Sequence, residues 1–297
     1  MCWIIGLHLR DPELYPQLGR LLDTMLCGVT ERGPDSAGIA VYGDPERNPP
    51  GEAAVSVLSA PGDLADLVSA VLPGTPPVGV DRAGATTVVT APVSPEALIT
   101  AVSAAAPDAR VVGSGSDLVV YKDVGRPDDL AATYRLRDVS GWQGLAHTRM
   151  ATESAITPEG CHPFSVGTDQ CLVHNGSFSN HATVRRDLRR QGVEFDSEND
   201  TAVGARFVAA RLAEGDDLEK ALRRLGETFD GFYTLLVTTA DGFAVVRDEI
   251  ACKPAIVAEH PRWVAMASEF RALAELPGIG EAHIFEPAPG QVYAWTR

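Results

Sequence analysis

The chain opens on a short apolar run, Cys2–Leu9, of the length of a buried strand. Asp11-Pro12 then gives a helix-start signal, and Leu14, Leu18, Leu21, Leu22 and Met25 recur at helical spacing, predicting a helix over about Glu13–Leu26. A turn by composition, Glu31-Arg32-Gly33-Pro34-Asp35-Ser36, leads to a second strand, Ala37–Tyr42. Residues 43–51, rich in Pro, Gly and charge, mark a boundary. Beyond it the chain turns to Ala, Val, Pro and Gly. Apolar runs fall near Ala53–Leu58, Thr86–Thr90, Val111–Val112 and Leu118–Tyr121, and helical stretches near Leu64–Val71 and Pro95–Ala105. Ser94-Pro95-Glu96 places a cap before a Pro at the first helical position. This texture predicts an α/β insertion over about 45–140, with a strand order that the pattern does not disclose.

From Gly141 onward strands return at Leu145–Arg149 and Gln170–Asn175. Helices are predicted at Asn180–Arg190, Asp200–Ala213 and Leu218–Thr228. The remainder alternates like antiparallel strands: Phe232–Thr238, Phe243–Asp248, Ala255–Ala258, Trp263–Ser268, Ile284–Glu286 and Val292–Trp295. Strands, a block of helices, then strands again predict an α+β fold, with helices packed on antiparallel sheets.

Composition narrows the function. The 297 residues carry a formal net charge of −15, which argues against nucleic acid or an anionic membrane surface as the main partner. No apolar run approaches the roughly 18–20 residues that span a bilayer. The first residues lack the basic segment and cleavage site of a secretory signal, so a cytoplasmic location is expected. Five cysteines, Cys2, Cys27, Cys161, Cys171 and Cys252, are scattered without a C-x-x-C pair, which fits neither a disulfide framework nor a zinc site. Four of them are expected to be small buried hydrophobes.

Cys2 has another use. Removal of Met1 would place a thiol and an α-amine on one residue, with reference pKa values of about 8.5 and about 7.7–8, so the amine can act as base for its own thiol. A half-buried strand cysteine is the plainer reading of Cys2 alone. Three further segments favour the first. His147-Thr148-Arg149-Met150-Ala151-Thr152 closes a strand with a guanidinium and hydroxyls. His174-Asn175-Gly176-Ser177 closes another with an amide beside a Gly whose N–H a ligand can approach. Ser197-Glu198-Asn199-Asp200-Thr201 opens a helix with a carboxylate. Together they supply a nucleophile, a carboxylate clamp, an oxyanion hole and an ammonium acceptor, a set suited to an α-amino acid attacked at a side-chain carbonyl.

Met1-Cys2-x-Ile4-Ile5-Gly6, Arg32-Gly33-Pro34-Asp35-Ser36-Ala37-Gly38, His147-Thr148-Arg149-x-Ala151-Thr152, His174-Asn175-Gly176 and Asn199-Asp200-Thr201 resemble, in order, class II glutamine amidotransferase domains. The resemblance implies a four-layer αββα sandwich of N-terminal-nucleophile hydrolase type. His147 through His181, and Asp248-x-Ile250-Ala251-Cys252-Lys253-Pro254, are similar to a narrower group. That group is the stand-alone amidotransferase-like subunit of glutamate synthase-related and N-methylglutamate synthase complexes, which also carries the insertion.

By this resemblance Cys2 attacks the side-chain amide of L-glutamine, forms a γ-glutamyl thioester and releases ammonia. Asn175 and the Gly176 N–H stabilise the oxyanion, Arg32 orders the surroundings of the nucleophile, Arg149 and Thr152 hold the α-carboxylate, and Asp200 accepts the α-ammonium. Taken singly, Arg149 also reads as a surface ion-pair partner and Asp200 as a helix cap. His147 and His174 are expected to be structural, and Arg185-Arg186 and Arg189-Arg190 to form a solvated helix face. No G-x-G-x-x-G opens a helix after a strand and no cysteines cluster, so the ammonia acceptor is expected on another chain. The resemblance implies that this partner is a glutamate synthase-like subunit with flavin and iron–sulfur groups of its own. This chain is expected to need no cofactor.

The chain departs from the family pattern at Trp3, where Gly is usual. Turned away from the site, the indole packs harmlessly; turned inward, it crowds the substrate. The inward case leads to a rival reading, a non-catalytic assembly or glutamine-sensing subunit. A free-standing hydrolase of another γ-glutamyl or amide substrate is the third.

Overall fold

The computed structural model describes residues 2–150, 156–195 and 197–297, leaving aside the side chains of Cys2 and Arg32. The first segment forms β1 (Cys2–Leu9), α1 (Leu18–Cys27) and β2 (Ser36–Tyr42). Next come β3 (Ala53–Leu58), α2 (Leu64–Val71), β4 (Gly79–Ala83), β5 (Thr86–Ala91), α3 (Pro95–Ala105) and β6 (Arg110–Gly115). Then β7 (Leu118–Val124), α4 (Pro127–Thr133) and β8 (Gln143–Arg149) lead to β9 (Cys171–Phe178). A helical block follows: α5 (His181–Arg190), α6 (Asp200–Ala213) and α7 (Leu218–Thr228). The chain finishes with β10 (Gly231–Thr238), β11 (Gly242–Arg247), β12 (Ile256–His260), β13 (Trp263–Ala267), β14 (His283–Phe285) and β15 (Val292–Thr296).

Two antiparallel sheets stack at the centre, a seven-stranded one in the order β14-β12-β13-β1-β8-β2-β7 and a four-stranded one in the order β15-β11-β10-β9. Strand parity sorts the core into layers. Trp3, Ile5, Leu7 and Leu9 share one cluster with Leu18, Leu22 and Met25 of α1. Ile4, on the opposite face of β1, joins Val173, Leu236 and Phe243 between the sheets. The outer face of the second sheet, with Leu172, Leu235 and Val237, packs on Val184, Val203 and Leu225 of the helical block. The result is a four-layer αββα sandwich. Because the larger sheet is covered on both faces, β2 is buried at every position and reads as an apolar run rather than an alternation. At Gly6 a Cβ would stand 2.4 Å from Leu236 Cδ2, so the sheets meet closely there only because no side chain intervenes.

A third antiparallel sheet, β4-β5-β3-β6, carries α2 and α3 on its own small core. It spans residues 53–115, and β7 then pairs with β2 as the edge of the seven-stranded sheet. Asp169 ties the turn between the two sheets, its carboxylate accepting from the N–H groups of Ser116 (3.1 Å), Asp117 (2.9 Å) and Leu118 (2.9 Å).

Three local features differ from the sequence pattern. The helix expected from Glu13 begins as a 3-10 turn, Pro12–Gln17, because Pro16 lacks a donor for the α-helical ladder, and α-helix starts only at Leu18. The β4 strand, an edge with mixed exposure, has no apolar alternation to betray it. The β9 strand does not close at the Asn175-Gly176 pair but runs on to Phe178, since β10 continues beside it to Gly231. No helix among the described residues is long and apolar enough to cross a membrane.

Candidate active site

Arg149 is the last residue of β8, which lies between β1 and β2. Its backbone pairs with Cys2 on one side and Ser36 on the other. Pro34 bridges to Arg149 as well, and the Asp35 N–H donates to the Arg149 carbonyl at 3.1 Å. Register alone thus gathers the chain start, the Arg32–Ser36 turn and the His147–Arg149 segment at one sheet end. The half-buried Arg149 side chain donates from Nη1 to the Gly160 carbonyl at 3.3 Å. Arg32 ends the 3-10 turn Thr30–Arg32, whose Thr30 hydroxyl donates to the Leu26 carbonyl at 3.0 Å. Thr152 lies outside the described residues. The Trp3 indole belongs to the α1-side core and so leaves the space between the sheets clear.

The second sheet supplies the facing residues, since β9 packs on β1. Asn175 is buried and pairs with Thr234 of β10, and Gly176 pairs with Tyr233. Gly176 has φ +147°, and a Cβ there would stand 2.0 Å from the Phe232 carbonyl oxygen. Only glycine fits, and its bare backbone leaves the amide approachable. The Asp248–Pro254 segment braces this pair from behind. The Asp248 carboxylate accepts from the N–H groups of Tyr233 (2.7 Å), Ile250 (2.8 Å) and Ala251 (3.1 Å), and the Thr234 hydroxyl donates to the Lys253 carbonyl at 3.0 Å. Lys253 Nζ sits 5.2 Å from the centroid of the Phe232 ring. The motif was visible in the sequence, but its bracing role came only with the β9–β10 register.

Asp200 begins α6, and the cap itself is Asn199, whose Oδ1 accepts from the Thr201 N–H at 2.8 Å. The Asp200 carboxylate accepts instead from the Phe178 N–H at 2.8 Å, which ties the helix start to the end of β9. The expectation of a solvated arginine face fails at Arg185. This residue is buried, pairs with Glu198, donates to the Asn199 carbonyl at 3.1 Å and stacks on Phe195. Arg185 lies a quarter-turn from Arg186 and shares a face with Arg189. Arg185 and Arg189 both reach Glu198 and the Phe195 ring on the turn that presents Asp200, but only Arg185 is buried there.

Three buried histidines fill the space between these elements. His147 and His162 have ring centroids 4.1 Å apart, and His174 stacks on Phe178. Burial foremost depresses His147 to about 3 and His174 to about 4, the latter against the pull of Asp200, and holds His162 well below the ordinary range. All three are neutral at pH 7. Among the described residues no cluster is arranged to hold a metal ion. Cys161 and Cys171 are buried, with the Cys171 thiol pushed up to about 12 by burial. Cys27 and Cys252 are exposed, contrary to expectation, because one ends α1 and the other lies on the loop after β11.

A model of the glutamine amidotransferase domain matches residues 147–275. The chain is 49% identical to the glutamine amidotransferase-like protein GlxB of Rhizobium meliloti, over 100% of this chain and 99% of that protein. It is 30% identical to a putative glutamine amidotransferase of Methanothermobacter thermautotrophicus, over 99% of each. Among solved structures it is similar to a glutamine phosphoribosylpyrophosphate amidotransferase from B. subtilis, with TM-score 0.61, 17% identity and 99% of this chain covered. The chain spans about half the length of that protein (47%), and the likeness there is one of fold. Full-length identity of this order, on a four-layer αββα sandwich, makes the chain a member of the glutamine amidotransferase family.

Proposed function

We propose that the chain is a glutaminase subunit that hydrolyses L-glutamine to glutamate and ammonia through Cys2. The α-amine takes the thiol proton, the thiolate attacks the amide carbon, and the oxyanion meets the Asn175 amide and the Gly176 N–H. The α-ammonium returns that proton to the amide nitrogen as collapse breaks the C–N bond and expels ammonia; water then cleaves the γ-glutamyl thioester to glutamate and the free thiol. Arg149 and Thr152 hold the α-carboxylate, Asp200 the α-ammonium, and Arg32 orders the nucleophile's surroundings. The ammonia passes to a glutamate synthase-like partner, whose flavin and iron–sulfur groups are its own. The observation that carries this reading is the pairing of Cys2 with Arg149 on a strand that packs against β9. Burial of Trp3 on the α1 side supports turnover over a purely assembling or sensing role.

The test is ammonia release from glutamine by the purified chain, alone and with co-purified partners, beside Cys2→Ala. Mass spectrometry is used to find the freed N-terminal cysteine and a trapped glutamyl adduct. Release that persists in Cys2→Ala, or a retained Met1 in active protein, would sink the proposal.

A further inference from the structure

Thr201, which follows Asp200 on α6, is almost fully buried, and its hydroxyl is crowded by polar neighbours. Oγ1 lies 2.9 Å from His174 Nδ1, 3.0 Å from His162 Nε2 and 3.4 Å from Asp200 Oδ1. A hydroxyl has one proton and can donate to only one of the three. The opposite ring atoms, His162 Nδ1 and His174 Nε2, are buried with no hydrogen-bond partner among the described residues. A neutral imidazole has a single N–H, and leaving it unpaired in the interior is costly. Both rings therefore point their N–H at Oγ1, and the hydroxyl proton goes to the Asp200 carboxylate.

We infer that Thr201 is a positioning residue that locks Asp200 and Asn175 into one frame through the tautomers of His162 and His174. The inference rests on the glutaminase reading for what the frame holds: the ammonium at Asp200 and the oxyanion at Asn175. His174 is the chain neighbour of Asn175, and Thr201 that of Asp200. His162 packs on His147, whose backbone pairs with Ile4 of β1 and Gly38 of β2. One oxygen thus joins both sheets and the start of α6. A residue that merely filled the space would tolerate valine, which has the shape of threonine; in the frame, valine leaves two N–H groups facing a methyl.

Nitrogen-15 NMR of histidine-labelled protein reads the frame without turnover. The native chain should carry protons on His174 Nδ1 and His162 Nε2, and Thr201→Ser should retain them. Thr201→Val, which removes the acceptor of both, should leave at least one ring as a mixture of the two tautomers. In glutaminase assays Thr201→Val should raise KM for glutamine about tenfold, with a smaller fall in kcat, and Thr201→Ser should stay within about twofold of native. Native rings in the other tautomers, or a Val variant with native tautomers and native KM, overturn the inference. If Thr201→Val does not fold, the native and Ser spectra decide. If the native chain never releases ammonia, the glutaminase reading falls, while the tautomer result still judges the frame.

Discussion

Cys2 and Arg149 face each other across the β1–β8 ladder at its open end. Directly opposed residues of an antiparallel pair have Cα atoms roughly 4.5–5.5 Å apart. The proposed nucleophile and the proposed carboxylate clamp are therefore fixed by the most rigid spacer available to a protein, one rung of a sheet. A clamp on a loop would place the amide carbon far less reproducibly, and a misplacement of about 1 Å can cost about 10²-fold in rate.

Arg149→Lys keeps the charge and loses the planar fork that matches a carboxylate. We expect KM for glutamine to rise at least about tenfold, with kcat changed less, because the α-carboxylate is gripped in both ground and transition states. Steady-state kinetics check this; unchanged KM would remove Arg149 from the substrate site.

Trp3→Gly restores the residue usual in the family and empties a large core position. Truncating a buried Trp to Ala costs about 3–5 kcal/mol, and a strand glycine adds to that. Urea denaturation should show a loss of at least this order, with no new glutaminase activity. Activity appearing in a variant of native stability would instead revive the sensing-subunit reading.

Gly176→Ala places a methyl against the Phe232 carbonyl at a φ that alanine avoids. Strain of about 1–3 kcal/mol is expected. The displaced amide should also lower the rate of ammonia release by about 10²–10³, the usual effect of losing one oxyanion donor. Melting temperature and kcat measured on the same preparation test both effects. Full activity would place the oxyanion elsewhere.

The buried histidines set an acid limit. In the unfolded chain His147, His162 and His174 take up protons near 6.5, whereas burial keeps them neutral in the fold well below that. The unfolded state binds more protons over this interval, so stability falls as pH drops from about 6.5 towards 4. Each ring held neutral contributes a slope of up to about 1.4 kcal/mol per pH unit. Denaturation at pH 7.5 and 5.5 measures the slope, and His147→Gln should reduce it. Equal stabilities at the two values would contradict the burial of these rings.

Local signals in the sequence placed most of the fold. A cap and a proline located α3, and leucine spacing located α1, because such signals are set by neighbouring residues. The His147–Thr148–Arg149, His174–Asn175–Gly176 and Asn199–Asp200–Thr201 segments were recognisable for the same reason: each is a short run whose chemistry is local. The direction of Trp3, the burial of Arg185, the exposure of Cys27, the extension of β9 past Gly176 and the meeting of His162 and His174 on Thr201 were decided only in three dimensions. Each depends on which face of an element is covered by residues far away in the chain. A strand fixes only that its side chains alternate; the packing of one sheet on a helix and on a second sheet determines what each side meets.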